Sequence, residues 1–392
     1  PRLALAASLT VNLGILGFFK YGNFFGANLV DAFAWLGLEV GWTGLDVLLP
    51  VGISFYTFQS MSYTIDLYRQ QLEPRQKLRD YALFVSFFPQ LVAGPIVRAS
   101  EFFRELDKKL HVSRRSMQTG LSLIAIGLVK KVVFADNLAP IVEAAFSNPA
   151  EVSGWQLLIA VYAFAFQIYF DFSGYTDIAI GAARTLGFRF PKNFNHPYNA
   201  LSIRDFWRRW HMTLSRWLRD YLYISLGGNR KGRYRTLANL MVTMLLGGLW
   251  HGASWNFVIW GGLHGLYLAL ERLLRKLFRF RLPAILHWLI TFHLVCFAWI
   301  FFRAEDFATS KAIVAKISHL AAEPFLAGIE YHHLVLLAGL MLAHWLGARF
   351  RLRERIYTAG PLSWGAITAC MLLSLLIWAP TVSAPFIYFQ FL

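Results

Sequence analysis

Ten apolar stretches follow one another along this chain of 392 residues, and the runs between them are too short to fold as a soluble domain. They are Leu3–Phe19, Val47–Ile65, Tyr81–Val97, Gly120–Ala135, Trp155–Phe170, Leu237–Trp250, Trp255–Leu270, Ile285–Phe302, Leu334–Leu346 and Ala366–Trp378. A helix crossing a bilayer needs about 20 apolar residues, because no water is present to satisfy its backbone. Several stretches are shorter, so roughly nine to eleven membrane segments are expected. Asn28–Gly41 reads as a weaker amphipathic segment, and Ala384–Leu392 is too short to span. The pattern predicts one all-α polytopic membrane domain over residues 1–392, with no internal repeat.

Composition closes off the alternatives. Hydrophobic residues make up 57% of the chain and charged ones 15%, against about 25% charged in soluble domains. The net charge of +16 comes from clusters at Arg69–Arg79, Arg104–Arg115, Arg204–Arg235, Arg272–Arg281 and Arg349–Arg355. Basic clusters alternating with apolar spans follow the positive-inside rule and suit anionic lipid surfaces, so membrane lipids are expected partners and nucleic acid is not. Cys296 and Cys370 lie inside apolar stretches, which argues against a disulfide. The chain opens at Pro1 within an apolar run, with no signal-peptide pattern, so further residues are expected upstream.

Pro50-Val51-Gly52, Pro89, Gly94-Pro95, Lys130-Lys131 and Asp171 interrupt apolar sequence. Irregular or charged positions at membrane depth persist where protein or a polar cavity satisfies them, although single prolines also make ordinary kinks. Two histidines stand out among such positions, each preceded by tryptophan: Trp210-His211 and Trp250-His251. An imidazole in lipid is expensive and faces a cavity, a partner or a substrate. Buried, it stays neutral and can take a proton from a hydroxyl, as general-base acyl transfer requires. Hydrogen bonding between two helices is the structural alternative. Gly247-Gly248 and Gly252 leave room beside His251 for a substrate or a close helix.

From Arg204 to Tyr221 the helical period places Trp207, Trp210, His211, Leu214, Trp217, Leu218 and Tyr221 on one arc, opposite an arginine face. That predicts one interfacial or shallowly re-entrant helix, with His211 at the edge of its apolar side and aimed at the protein or membrane interior. Gln167–Asp177 gathers Asp171, Ser173, Tyr175 and Asp177 at the end of an apolar helix. Asp171 is expected to pair with an arginine, to orient a histidine, or to form a structural salt bridge. No Gly-x-Ser-x-Gly elbow, Walker A motif or zinc spacing occurs, and no metal is expected. His264, His287, His293 and His344 would suit haem only if paired across helices; packing or helix-end roles fit such scattered residues better.

Asp205-Phe206-Trp207-Arg208-Arg209-Trp210-His211-Met212-Thr213-Leu214-Ser215, Gly228-Asn229-Arg230 and Gly248-Leu249-Trp250-His251-Gly252 together resemble the membrane-bound O-acyltransferase (MBOAT) family. Gly94-Pro95-Ile96, Tyr169–Tyr175, Pro191–Tyr198 and Phe301–Ala304 extend the likeness to its bacterial branch, over roughly Val47 to Asp306. The branch includes alginate O-acetyltransferase subunits and teichoic acid D-alanyl transferases. The resemblance implies a ring of helices around a tunnel, in a multi-pass protein of the bacterial inner membrane. It makes His251 the match to the family's invariant histidine and His211 the match to a second active-site position. That second position is asparagine in many eukaryotic members. It implies that a cytoplasmic acyl thioester, acetyl-CoA first among them, serves as donor substrate, with no bound cofactor. The acceptor is an extracytoplasmic polysaccharide or a partner periplasmic acetyltransferase. Around the histidines, Trp210, Trp250, Asn256, Asp171, Ser173 and Tyr175 are expected to support the site, with His211, Trp250 or Asn256 steadying the oxyanion. The donor is expected to meet Arg208, Arg209, Arg216, Arg230 and Lys231. D-alanyl transfer to teichoic acid, a transporter or flippase, and a non-catalytic scaffold are the alternatives. A transporter would move intact substrate without consuming thioester.

Overall fold

The computed structural model describes residues 1–75, 77–91, 94–109, 111–277, 282–382 and 384–387. Among them every regular element is a helix, as the apolar pattern predicts. Five helices are long and apolar enough to cross a membrane: Arg2–Trp35, Gly154–Thr185, Ala284–Arg303, Tyr331–Arg349 and Pro361–Trp378. The other apolar stretches form helices that are shorter or more polar, among them Ile53–Tyr68, Arg114–Leu128, Arg233–His251 and Trp255–Leu277.

Three expected boundaries move for local reasons. Val47–Ile65 becomes helical only from Ile53, after Gly52 takes a left-handed turn at φ 78° that glycine allows at little cost. Tyr81–Val97 is no span. Its helix Leu78–Ser86 stops at the extended Phe87, and a single turn, Phe88–Leu91, follows. Pro89 cannot donate a backbone hydrogen bond, and Gly94 packs so tightly that a Cβ there would lie 2.5 Å from the Pro89 carbonyl oxygen. Asn28–Gly41 is no separate segment; as far as Trp35 it completes the first helix, and beyond Gly37 it is irregular. Residues 92–93 of the Tyr81–Val97 stretch, 278–281 of the Arg272–Arg281 cluster and 388–392 of the last apolar run lie outside the described residues.

Gly154–Thr185 is the axis of the fold. In its most apolar window 89% of the residues are buried by the surrounding helices, whereas in that of Pro361–Trp378 none is. The central helix starts on a capping box, in which Ser153 accepts from the Gln156 backbone while the Gln156 side chain accepts from the Ser153 N–H. It runs antiparallel to Arg114–Leu128, glycine on glycine. A Cβ on Gly127 would lie 2.5 Å from the Gly174 carbonyl oxygen, and one on Gly181 2.6 Å from the Gly120 oxygen. In lipid such close backbone approach supplies the association that hydrophobic burial supplies in water.

Immediately beyond this contact the π-helical turn Val129–Ala135 carries two lysines to the central helix. Lys131 lies 2.8 Å from Asp171 and 2.7 Å from Asp136, and Lys130 lies 2.7 Å from Asp177, which Arg353 reaches at 2.5 Å. Asp171 therefore pairs with a lysine of a neighbouring helix, and the Ile387 N–H completes it at 2.8 Å. The expected arginine or histidine partner gives way to the structural salt bridge. The Gln167–Asp177 cluster sits in mid-helix, because helicity continues to Thr185. Both cysteines are free, Cys296 buried and Cys370 exposed.

Candidate active site

Arg204–Tyr221 does not form one helix. A short helix, Ile203–Trp207, ends at Arg208; His211 takes a left-handed conformation at φ 40°, ψ 54°; and Met212–Trp217 then begins, passing into the π-turn Leu218–Tyr223. The cause lies in 193–195, which clamps this segment from outside. The Asn195 N–H donates to the Arg209 carbonyl at 2.9 Å, and the Met212 N–H donates to the Asn193 carbonyl at the same distance. The Asn193 side-chain oxygen accepts from the Thr213 N–H at 3.1 Å and from its hydroxyl at 2.8 Å. The helix is broken, but His211 faces the interior as its place on the apolar arc predicts, and it is fully buried.

His251 reaches the same place from another direction. It ends the helix Arg233–His251, and the next turn begins at Trp255. Gly248 makes this hairpin possible, since a Cβ there would sit 2.2 Å from the Phe257 carbonyl oxygen. The His211 and His251 rings are 6.4 Å apart. Aromatic edges close around them: Phe172 at 4.7 Å from His211, and Trp250, Trp260 and Phe302 at 5.1–5.3 Å from His251. His251 is 5% exposed. The two histidines are thus buried side by side among aromatic rings although forty positions separate them in the chain.

Two cavities border this pair. The larger, about 970 Å³, is lined by Met212 and Met244 and by Arg204, Arg208, Arg216, Arg219, Arg272 and Arg275. Glu271 pairs with Arg275 at 2.6 Å, Glu101 takes Arg216 at 3.2 Å, and Asp220 takes Arg219 at 2.6 Å. Burial pushes the Asp220 carboxyl up, but Arg219 and Arg98 hold it below the usual carboxylate range. Arg204, Arg208 and Arg272 have no ion-pair partner among the described residues. The smaller cavity, about 540 Å³, lies between Lys20, Gly252, Ser254, Phe302 and Arg303. Met212, next to His211, lines the first cavity, and Gly252, next to His251, lines the second, so each histidine adjoins the wall of a different cavity.

The expected supporting residues separate into distinct roles. Trp250 lies beside both histidines and its indole N–H has no acceptor among the described residues. Ser173 is buried, its hydroxyl likewise without a partner among the described residues, and it follows the Phe172 that edges His211. Trp210 packs into Phe194, Phe206 and Trp299. Tyr175 stacks on Phe386 at 4.7 Å, and Asp171 belongs to the lysine network. Asn256 donates to the Ala304 carbonyl at 3.0 Å and accepts from Ser310, so its amide ties a loop down instead of facing an oxyanion. Of the expected donor contacts, Arg208 and Arg216 line the large cavity. Arg209 instead pairs with Asp205 at 3.0 Å, and Arg230 and Lys231 do not line the cavity; the Lys231 stem covers Gly227.

Haem ligation finds no support in the arrangement. His264 accepts from the Trp207 indole, His344 packs on His196 and Tyr169, and His293 bonds the Leu289 carbonyl. Lys20 escaped the sequence reading. Its ammonium donates to the Trp250 carbonyl at 2.8 Å, the His251 carbonyl at 3.2 Å and the Ser54 hydroxyl at 3.2 Å, fixing the helix end that presents His251. A lone lysine in an apolar run was the available signal.

The family signature described as MBOAT, membrane-bound O-acyltransferase family, matches residues 69–305. The chain belongs to that family. It is 46% identical over 304 residues, 77% of its length, to a protein of Azotobacter vinelandii named probable alginate O-acetylase AlgI. It is 38% identical over 441 aligned positions to a peptidoglycan O-acetyltransferase of Helicobacter pylori, a match that covers all of this chain and 82% of that one. A teichoic acid D-alanyltransferase of Bacillus subtilis is 30% identical over 275 residues, 66% of this chain and 69% of its own. The chain spans 60% of the Azotobacter protein's length. The likeness, expected to fade past Asp306, continues to the end of the chain in the Helicobacter protein. Family and apolar helices together make this a multi-pass membrane protein.

Proposed function

We propose that this protein moves an acetyl group from a cytoplasmic thioester to a hydroxyl of an extracytoplasmic polysaccharide, directly or through a partner transferase, in a bacterial inner membrane. One observation carries the reading: two buried histidines lie side by side, His211 next to Met212 of an arginine-lined cavity and His251 next to Gly252 of a second one. The positive-inside rule assigns the arginine side to the cytoplasm. Arg204, Arg208 and Arg272 suit the phosphates of a donor such as acetyl-CoA, since guanidinium groups grip phosphate in bidentate fashion. The acceptor hydroxyl enters by the smaller cavity. His251 draws off its proton while its oxygen attacks the thioester carbonyl. The Trp250 indole N–H, beside both histidines and without an acceptor among the described residues, donates to the oxyanion. The tetrahedral centre collapses, the carbon–sulfur bond breaks, and the departing thiolate takes the proton from His251. An ester and a free thiol result. The names of the Azotobacter and Helicobacter relatives support acetyl as the group carried.

The D-alanyl alternative rests on the Bacillus relative, and one assay separates the two. Full-length protein in nanodiscs is given radiolabelled acetyl-CoA and, separately, D-alanyl carrier protein. Hydrolysis-corrected consumption of acetyl-CoA is expected; consumption of the D-alanyl thioester alone, or of neither, sinks the acetyl reading. Replacing Arg204, Arg208 and Arg272 together by glutamine should raise KM for acetyl-CoA roughly 100-fold or more, at about 1.5–3 kcal/mol per charged hydrogen bond lost. An unchanged KM would remove the donor from this cavity.

A further inference from the structure

Resting on the acyl-transfer reading, we propose that Asn193 is a positioning residue that fixes the proton of His211 on Nδ1 and so makes its Nε2 a proton acceptor. The His211 Nδ1 stands 3.2 Å from the Asn193 Oδ1. Which end of an asparagine amide faces a neighbour is settled by the neighbours that have no choice. Here that neighbour is the Thr213 backbone N–H, 3.1 Å from the same Oδ1. A backbone N–H only donates, so turning the amide over would set donor against donor. The Thr213 hydroxyl is compatible with this: it accepts from the Ile96 N–H at 3.0 Å and donates its hydrogen to the same Oδ1 at 2.8 Å. With the oxygen side fixed, an imidazole nitrogen at hydrogen-bond distance from it must carry the hydrogen.

The consequence bears on chemistry. Neutral His211 held this way offers a lone pair at Nε2 and has no hydrogen to give an oxyanion, contrary to the role expected from the sequence. On accepting a proton at Nε2 it keeps the Nδ1 bond to Asn193, so no ring rotation accompanies the charge. Direct transfer between the two histidines is excluded by distance. With ring centroids 6.4 Å apart the nearest nitrogens stand no closer than roughly 4 Å, beyond hydrogen-bond reach of about 3 Å. In this proposal His211 is a second base beside the acceptor, and Asn193 selects the nitrogen with which it acts. The clamp that makes the backbone left-handed at His211 and the group that sets its proton are one residue.

Two measurements on the full-length protein test this. In protein labelled with ¹⁵N-histidine, the His211 signals, assigned by their loss in H211Q, should show a protonated Nδ1 and a bare Nε2; a protonated Nε2 overturns the proposal whether or not the protein transfers acetyl groups. In the acetyl-CoA assay, Asn193→Asp keeps the acceptor and should retain kcat within about tenfold, whereas Asn193→Leu should lose kcat roughly 100-fold at unchanged KM for the donor. Equal kcat losses in both variants, or a loss confined to KM, also overturn it. Failure of the unsubstituted protein to consume acetyl-CoA would instead count against the acyl-transfer reading, and the nitrogen signals would still decide the tautomer.

Discussion

His251→Ala is expected to lower kcat for acetyl transfer about 1000-fold, the middle of the range for loss of a general base. KM for the thioester should stay within about threefold, because Arg204, Arg208 and Arg272, the proposed phosphate contacts, line the arginine cavity and His251 does not. This split separates catalysis from binding, since a residue that only held the pocket together would disturb both. His251→Gln, closer in volume, should lose nearly as much, because an amide holds the space without accepting a proton at neutral pH. Radiolabelled acetyl-CoA turnover by nanodisc-reconstituted variants at matched expression is the measurement. Transfer within a few-fold of the unsubstituted protein would end the assignment of His251 as base.

The second large effect concerns the hairpin that presents His251. Gly248→Ala adds one methyl group, yet its carbon would lie 2.2 Å from the Phe257 carbonyl oxygen and 3.0 Å from the Gly261 Cα. Both obstacles are backbone, so no side-chain rotation relieves them and the two helices must part. The expected cost is about 3 kcal/mol, the upper end for overpacking a close-fitted core, with activity falling as His251 shifts. Gly262→Ala on the same hairpin supplies the contrast, for its Cβ would meet only Leu245 Cδ2 at an ordinary 3.5 Å. There the gain of a better helix former should leave stability unchanged or raise it by up to about 1 kcal/mol. Thermal unfolding in detergent, followed by size-exclusion chromatography of heated samples, reads both. Identical melting of Gly248→Ala and the unsubstituted protein would show that the helices do not cross there.

What the sequence disclosed, and what it concealed, follows from the range of the forces involved. The apolar runs and the two tryptophan–histidine pairs are local, so membrane class and candidate histidines could be read directly. Periodicity failed from Arg204 to Tyr221 because the break at His211 is imposed by hydrogen bonds from 193–195, a segment with no mark in the helical wheel. The arginine-lined cavity was half legible: Arg208 and Arg216 stood in the basic run, but Arg272 and Arg275 join from a helix some sixty residues on. Asp171, Asp177 and the pair Lys130-Lys131 were each visible as costly charges, while their pairing across helices, through a π-turn, had no local mark. The glycine contact left a trace, since Gly120 and Gly127 share a seven-residue spacing with Gly174 and Gly181.

The left-handed backbone at His211 also acts as a filter on which residues can occupy that place. Outside glycine, that conformation is entered most readily by asparagine, aspartate and histidine, and resisted by branched side chains. Of these four, only histidine brings a base of near-neutral strength. A replacement chosen for size, such as leucine or valine, would alter the chain path as well as the chemistry, and its effect would be unreadable. Glycine at 211 would preserve the path and leave a ring-shaped space that free imidazole from solution can fill, so the contribution of the ring alone becomes titratable with an added reagent.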